Sequence, residues 1–483
     1  MASAHAAEHH VAALCAKAEA LLAAGRAGDA RDVLEQAEVQ APERAATQRL
    51  LAMAYRALGL STASTAADAA ALALDARSAL ALYNLATVFF MAEQYGPAEK
   101  WYRRALAFDA DLVVANQNLA AILEIQGKLE EARGYRDRAL GRQNLFVETS
   151  PSAVRTVLIL AASAFGNVPI DDLLSAKTNN RLKWFVEYAR PGQAEQLPPH
   201  DLVFNAIGDA DLAGPCLATL TRFVQRCRRP LLNPPDKVER TQRHLLPDLL
   251  AGLPRVVVPP VLRLSRAALA ADDLPARLTD AGLAPPCLLR PLGSHGGKGV
   301  SLIDDVGQLA RVDAADSDTV YLTAFVDYRA ADGFFRKYRM VFVDRRPYPC
   351  HLAISPHWLV HYFSADMLAE PWKRDEERCF LEDPGASLGA SAMAAVAAIG
   401  QRLDLDFAGV DFSVLPDGRV LVFEANATML VHLHDKIEDF PYKHIHVPRI
   451  FRAFEAMLAE RTALSRVGAP CRGSDPEPRP EDR

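Results

Sequence analysis

Cysteine is scarce and scattered: seven in 483 residues, at positions 15, 216, 227, 287, 350, 379 and 471, with no C-x-x-C pair. An odd, dispersed set builds no disulfide framework and points to a reducing compartment. Long apolar runs are lacking too. The best, Val157 to Phe165, is nine residues with a serine in it, half a membrane span at most. Met1–His10 holds no basic stretch leading into an apolar core, so nothing there reads as a secretion signal. Positive charge is not in excess either: 54 Lys and Arg stand against 60 Asp and Glu, a net charge of −6. That leaves no whole-chain electrostatic footprint for nucleic acid. The expectation is a cytoplasmic protein that engages neither membrane nor nucleic acid. Half the residues are apolar and 24% charged, an ordinary globular composition. The length calls for two or three compact units.

What the chain does have, first, is a repeat. Registers starting at Val11, Ala45, Ala79 and Val113 are each 34 residues apart. The eighth position holds Ala18, Ala52, Ala86 and Ala120, and the eleventh Leu21, Tyr55, Phe89 and Leu123. The twentieth holds Ala30, Ser64, Ala98 and Ala132, and the twenty-seventh Ala37, Ala71, Ala105 and Ala139. Small residues recur where two helices must approach closely, with large ones filling the gap beside them. Pro42 falls where the second helix of the first register should stop. The third register, with Tyr95 and Trp101, is the clearest.

The register ends near Phe146, and residues 148–152 read as a linker. Beyond it, Val154–Ala161 and Asp201–Ile207 are buried-strand runs, with a helical stretch expected between them around Trp184. This alternation predicts a small α/β unit to about residue 235. Further strands are expected at Arg255–Val258, Cys287–Arg290, Val320–Val326, Tyr338–Val343 and in a pair near Gly409–Phe423. The tail, rich in Pro, Gly and charge, is expected to be disordered. The predicted division is therefore a tail 1–10, repeats 11–146, a linker 147–153, an α/β domain 154–235, a catalytic domain 236–462 and a tail 463–483.

The most informative stretch is Gly409–Asn426. Pro416-Asp417-Gly418-Arg419 is a turn between two apolar runs, so the segment is a β-hairpin. Pairing the strands around that turn sets Leu415 against Val420, Val414 against Leu421, Phe412 against Phe423 and Asp411 against Glu424. Asn426 shares the face of Glu424 because side chains alternate. Two like charges directly opposite repel, a cost that a bound cation would remove. Oxygen donors without His or Cys suit magnesium, or manganese, alongside nucleotide phosphates. An ordinary solvent-facing hairpin end is the alternative.

A second motif runs from Leu288 through Arg290, Gly293, Ser294, His295, Gly296, Gly297, Lys298 and Gly299 to Val300. Glycines let backbone N–H groups close over phosphate oxygens. This is not a Walker loop, because it leads into a strand-like Val300–Ile303 rather than opening a helix. A flexible hairpin tip would look alike.

Two resemblances follow from these residues. Residues 11–146 resemble tetratricopeptide repeats, which implies an all-α helical solenoid with a concave groove for an extended peptide or protein partner. Asn84 and Asn118, both at the sixth position of their registers, fall where that family often grips a peptide backbone; two solvated surface asparagines fit equally. Residues 154–460 resemble the ATP-grasp superfamily of glutathione synthetase, D-alanine–D-alanine ligase and ribosomal-protein glutamate ligase. The features carrying it are a basic residue before Pro, the Gly/Ser loop, the strand Tyr321–Val326 and the Asp…Glu-x-Asn triad. The resemblance implies an α/β pre-ATP-grasp domain followed by an α+β ATP-grasp domain. It further implies that Lys237, Arg290, Ser294, His295, Gly296 and Gly297 serve the phosphates, and that Phe325 and Val326 lie in the hinge that reads adenine. Arg339 and Arg290 would be catalytic, with Asp411, Glu424 and Asn426 holding magnesium. Two departures stand out. The family's usual lysine is Arg290 here, which keeps the charge but not the geometry. Thr323 and Lys337 replace the acidic residues that hold adenine and ribose, with Asp327 or Asp332 as substitutes.

The chemistry so implied is attack of a substrate carboxylate on ATP to give an acyl phosphate, from which an amine displaces phosphate. His351, Trp358, His361 and Tyr362 are candidates for the acceptor pocket, against a plain core or surface role for the histidines. Two other classes of function remain: a non-catalytic scaffold with a nucleotide-binding fold, and a phosphotransferase that stops at a phosphorylated product.

Overall fold

The computed structural model describes residues 2–467 except 164, 165, 295, 296, 298, 310–317, 432 and 434. The chain falls into two compact units, Met1–Asn144 and Leu145–Arg483.

The first unit is helical: α1 (Ala2–Ala23), α2 (Ala27–Gln40), α3 (Ala45–Ala57), α4 (Ser61–Asp75), α5 (Ala79–Met91), α6 (Tyr95–Phe108), α7 (Val113–Ile125) and α8 (Leu129–Arg142). Consecutive helices form four hairpins, and α2 packs on α3, α4 on α5 and α6 on α7. The starts of α3, α5 and α7 fall on the predicted registers, whereas α1 begins at Ala2 rather than Val11. All twelve small residues at positions eight, twenty and twenty-seven are at most 4% exposed. Within each hairpin the turn takes a left-handed residue at the same 34-residue spacing. Gly25, Gly59 and Gly127 have φ of 74°, 74° and 77°, and Glu93 fills that place in the third hairpin at 58°. Glycine adopts this backbone without steric cost.

The second unit holds three sheets. The first has the order β1-β3-β2-β4-β5, from β1 (Leu145–Glu148), β2 (Arg155–Ala161), β3 (Asn179–Phe185), β4 (Leu202–Asn205) and β5 (Leu231–Leu232). β2 pairs in parallel with both β3 and β4 and is buried on both faces, which explains its unbroken apolar run. Val157 and Ile159 pack on one side, Leu158 and Leu160 on the other. Trp184, expected in a helix, lies on β3 opposite Leu160. Leu182 and Trp184 alternate with the less buried Arg181 and Lys183, a period of two rather than 3.6. Leu145 and Phe146 also belong to this sheet, because β1 pairs antiparallel with β3.

The second sheet, β7-β10-β8-β9, is antiparallel and comprises β7 (Val261–Ser265), β8 (Cys287–Pro291), β9 (Ser301–Ile303) and β10 (Thr319–Ala324). The third has the order β12-β11-β13-β14-β6, from β6 (Val256–Val257), β11 (Phe335–Val343), β12 (Arg346–Ser355), β13 (Phe407–Val414) and β14 (Val420–Asn426). Tyr338, Met340 and Phe342 of β11 pack with Val410 and Phe412 of β13 against Phe380, Val396 and Ile399. Those three come from the helices Pro371–Glu382 and Ala390–Leu403. The helix Pro448–Val467 joins first and third sheets: Phe454 meets Phe204 at 5.6 Å and Phe407 at 5.8 Å between ring centroids. This helix runs into the segment expected as a disordered tail, of which residues 468–483 lie outside the described residues.

The predicted hairpin forms, but its register differs near the turn. Val414 faces Val420, Ser413 faces Leu421 and Phe412 faces Val422. A bulge between Asp411 and Phe412 then takes up Phe423 as the extra residue and restores Asp411 opposite Glu424. The turn is one residue longer than expected, with the Leu415 amide bonded to the Arg419 carbonyl at 2.8 Å.

Candidate active site

A cavity of about 420 Å³ is lined by strands of the second and third sheets. Strand alternation selects the residues that face it. On β8, Cys287 and Leu289 pack into their own sheet's core, while Leu288 and Arg290 line the cavity. On β11 Lys337 and Arg339 alternate with the core positions Tyr338 and Met340, and both line it, as do Asp411 and Glu424. Gly409, opposite Asn426, leaves room for Met429 to lie across the strand; a Cβ there would come within 2.4 Å of Met429 Cγ.

The charged part of the cavity is assembled around Asp411, 1% exposed. Arg339 grips it with two hydrogen bonds, Nε to Oδ1 at 2.7 Å and Nη2 to Oδ2 at 2.9 Å. Lys337 Nζ stands 3.2 Å from Oδ2. Burial alone would raise the Asp411 carboxyl, but these two cations hold it well below the usual carboxylate range. Arg243 reaches Glu424 Oε2 at 2.6 Å and the Phe423 carbonyl at 3.0 Å. Against the opposing effects of burial and of Asp411, it lowers the Glu424 carboxyl. The repulsion expected between the paired carboxylates is thus met by Arg339, Lys337 and Arg243. Arg243 was not singled out in the sequence, and Lys337 was read only as a departure.

Arg290 differs from the other cations. Among the described residues it forms no ion pair, and its one hydrogen bond, to the Ser294 carbonyl, is long at 3.5 Å. Burial, with Arg243 beside it, pushes the guanidinium down to about 10. Ser294 Oγ is buried without a hydrogen-bond partner among the described residues. It lines a recess of about 50 Å³ that shares Arg243, Arg290, Glu424 and Asn426 with the main cavity.

Elsewhere the lining is mainly apolar, with Val261, Leu288, Phe325, Val326, Trp358 and Leu421 beside the polar Asn167, Thr323, His361 and Thr428. The hinge residues Thr323–Val326 therefore reach the cavity, although β10 ends at Ala324 rather than Val326. The Ala324 and Phe325 amides are taken by the Pro260 and Pro286 carbonyls, both at 3.1 Å. The Val326 amide has no partner among the described residues.

Arg290, Gly297, Phe325, Val326, Arg339, Asp411, Glu424 and Asn426 are thus brought together around one cavity. Lys237 is not. It pairs with Asp404, which Arg345 also holds at 3.0 Å, and it does not line the cavity. His295 and Gly296 lie outside the described residues. Of the acceptor candidates, Trp358 and His361 line the cavity, whereas His351 is buried in β12 with its ring 4.9 Å from that of Tyr362. Burial, Lys337 and Arg339 lower the His361 imidazole.

The donor chemistry can be tested against a hard divalent cation. Asp411 and Glu424 are carboxylates opposite one another. Glu424 bonds through Oε2 alone among the described residues, so its Oε1 is open to such an ion. Both oxygens of Asp411 are already held by Arg339 and Lys337, so Asp411 fits only if one of these cations turns away. Asn426 fits less directly, because its Oδ1 already accepts the Thr428 amide at 2.9 Å and hydroxyl at 3.0 Å.

Several solved structures are similar to this chain. D-alanine–D-alanine ligase from Bacillus anthracis complexed with ATP is 14% identical, with a TM-score of 0.39 over 64% of this chain and 99% of that one. VanG D-Ala:D-Ser ligase from Enterococcus faecalis is 11% identical, with a TM-score of 0.41 over the same shares. D-cycloserine synthetase DcsG is 18% identical, with a TM-score of 0.38 over the same shares. No protein-family model matches the chain, and no curated protein matches it.

Proposed function

We propose that this protein is an ATP- and magnesium-dependent carboxylate–amine ligase that works through an acyl phosphate. The observation that carries this reading is the composition of one cavity: four cations, two carboxylates and an apolar lining. Two carboxylates leave two cations uncompensated, and a polyanion bearing a flat apolar group supplies what is missing. ATP has that form.

In this reading the base lies among Leu288, Phe325 and Trp358, with the Val326 amide as a donor to its edge. Arg243, Arg290, Lys337 and Arg339 surround the phosphates, and Arg290 is the cation that awaits an anion. The substrate carboxylate attacks the γ-phosphorus, ADP leaves, and the amine then attacks the acyl carbon and displaces phosphate. Fixed guanidinium and ammonium groups stabilise the charge that moves during both displacements, and the walls align the reactants. Magnesium would neutralise phosphate charge, held by Glu424, by Asp411 if Lys337 or Arg339 turns to the phosphates, and by Asn426 if it releases Thr428. The helical unit supplies the second part of the proposal, a peptide or protein substrate held along its exposed face.

The test is ADP release by the full-length protein with ATP, magnesium and a cell extract, with mass spectrometry of condensed products. Glu424→Gln should lower turnover by about 10²-fold or more while the chain stays folded. A wild-type protein that neither binds ATP nor releases ADP would end the proposal. Phosphate found on the substrate without a new amide would convert it into a phosphotransferase.

A further inference from the structure

Two irregular stretches wall the cavity, Trp358–His361 and Met429–Leu430. Neither belongs to a sheet, so no backbone ladder fixes their positions. The first covers the nucleotide region just described. Trp358 meets Phe325 edge-on at 5.7 Å between ring centroids, and Leu359 Cδ1 lies 3.4 Å from where a Cβ on Gly297 would stand.

Behind these walls lies Lys443, 3% exposed. Its Nζ is 2.8 Å from Asp435 Oδ2 and 3.4 Å from Glu377 Oε1, and it also contacts the Tyr362 hydroxyl. The ammonium lies over two rings, 3.9 Å from the Tyr362 centroid and 4.6 Å from that of Phe440. Glu377 is itself anchored, accepting the Leu352 amide at 3.2 Å and the Tyr442 hydroxyl at 2.7 Å. Tyr362 follows the first wall directly in sequence, and Asp435 follows the second after a few residues. One buried cation therefore joins Tyr362, next to the first wall, and Asp435, five residues beyond the second, to a helix of the core.

Removing an ammonium from water is unfavourable, and apolar packing of similar volume is often as stable or more so. What such a cation supplies that apolar packing does not is a directional tie between named groups. We infer that Lys443 is a positioning residue: by tying Tyr362 to Asp435 it sets the spacing of the two walls that enclose the nucleotide. It touches no substrate and acts through the walls. The inference rests on the ligase reading above.

The experiment is calorimetric ATP binding, with magnesium, to full-length wild type, Lys443→Met, Lys443→Arg and Tyr362→Phe, alongside thermal melting. Loosening the walls should cost the equivalent of about one good contact to the nucleotide, about 1.4 kcal/mol, so Lys443→Met should weaken ATP binding by about tenfold. The rise should appear in KM for ATP more than in kcat, and Lys443→Arg should restore part of it. Tyr362→Phe keeps the ring and should weaken binding without moving the melting midpoint. A Lys443→Met protein that melts earlier yet binds ATP with wild-type affinity would overturn the inference, leaving Lys443 a core residue only. Should Lys443→Met fail to fold, Tyr362→Phe and Asp435→Asn decide by the same comparison. Wild type that binds no ATP overturns the ligase reading itself; wild type that binds, with every variant equal to it, overturns only the role of Lys443.

Discussion

Asp411 holds two cations at once, and the side chains of both are only 16% exposed. Breaking such a buried set by removing the anion leaves guanidinium and ammonium facing each other without compensation. Asp411→Asn should therefore destabilise the second unit by about 3–5 kcal/mol at neutral pH. The pH dependence has a definite sign. The folded carboxyl is held below its ordinary value, so its contribution is fully present above the unfolded pKa of about 3.9. It is lost as pH falls from there through the folded value. The gap between wild type and Asp411→Asn, measured by denaturant unfolding, should be constant down to about pH 5 and shrink below about pH 4. Equal stability of the two proteins at pH 7 would show that the ion cluster contributes nothing net. The same cluster shows where sequence reading ran out. The pairing of Asp411 with Glu424 was expected from a four-residue turn, and it forms because the bulge offsets a turn one residue longer. Their compensation was not, because Arg243 stands 181 residues from Glu424 in the chain and no local pattern announces so distant a partner. Lys337 and Arg339 did carry a signal: cations two apart on a strand point to one face.

Among elements, the segment between β5 and the third sheet depends on Asn233, which is fully buried. Its Oδ1 accepts the Asp406 and Phe407 amides, both at 2.9 Å, and its Nδ2 donates to the Phe407 carbonyl at 2.8 Å. Its own amide donates to Asp406 Oδ2 at 2.9 Å, and its carbonyl accepts Asn205 Nδ2 at 3.0 Å. One asparagine thus joins β4 and β5 to the start of β13, the strand that carries Asp411. The backbone at Asn233 is left-handed, with φ of 52°, a conformation asparagine tolerates better than most residues. Asn233→Gly removes the three side-chain hydrogen bonds and should cost about 3 kcal/mol in the unsatisfied Asp406 and Phe407 amides and Phe407 carbonyl. Asn233→Ala should cost about 1 kcal/mol more, because alanine adds strain at this φ. Identical melting of the Gly and Ala variants would refute the strain term. In the sequence, Asn233 to Lys237 read as an approach to the phosphates through Lys237. The lysine instead pairs with Asp404, and the asparagine at the start of that motif makes the structural joint. Strand positions were legible at β2, β4, β6, β8, β10, β11, β13 and β14, whereas β7 and β12 were not expected, although Leu352, Ala353 and Ile354 of β12 are fully buried. Trp184 was misassigned because a short mixed run carries too few turns for its period to be read.

At the scale of the whole molecule, the two units divide the proposed work, and the division can be tested. Every residue lining the cavity lies at or beyond Gly166 in sequence, within the second unit. A chain starting at Leu145 should therefore keep its thermal response to ATP and magnesium, about 2.7 kcal/mol at a ligand concentration a hundred times Kd. If the helical unit holds a peptide or protein substrate, the same truncation should raise KM for that substrate and leave KM for ATP unchanged. Asn84 and Asn118, one repeat apart, do not report on this equally. Asn118 Nδ2 donates to the buried Tyr102 hydroxyl at 2.7 Å, which Thr87 also meets at 3.0 Å. Asn118→Ala should thus cost about 1 kcal/mol of stability in the helical unit, whatever it does to binding. Asn84 is exposed, and near it Leu80, Val88 and Met91 are 58%, 67% and 77% exposed. Asn84→Ala combined with Met91→Ala should leave melting unchanged and raise KM for the non-nucleotide substrate alone. A truncated chain with an unaltered KM for both substrates would instead assign the helical unit to self-association, which the sedimentation of full-length and truncated chains would show directly.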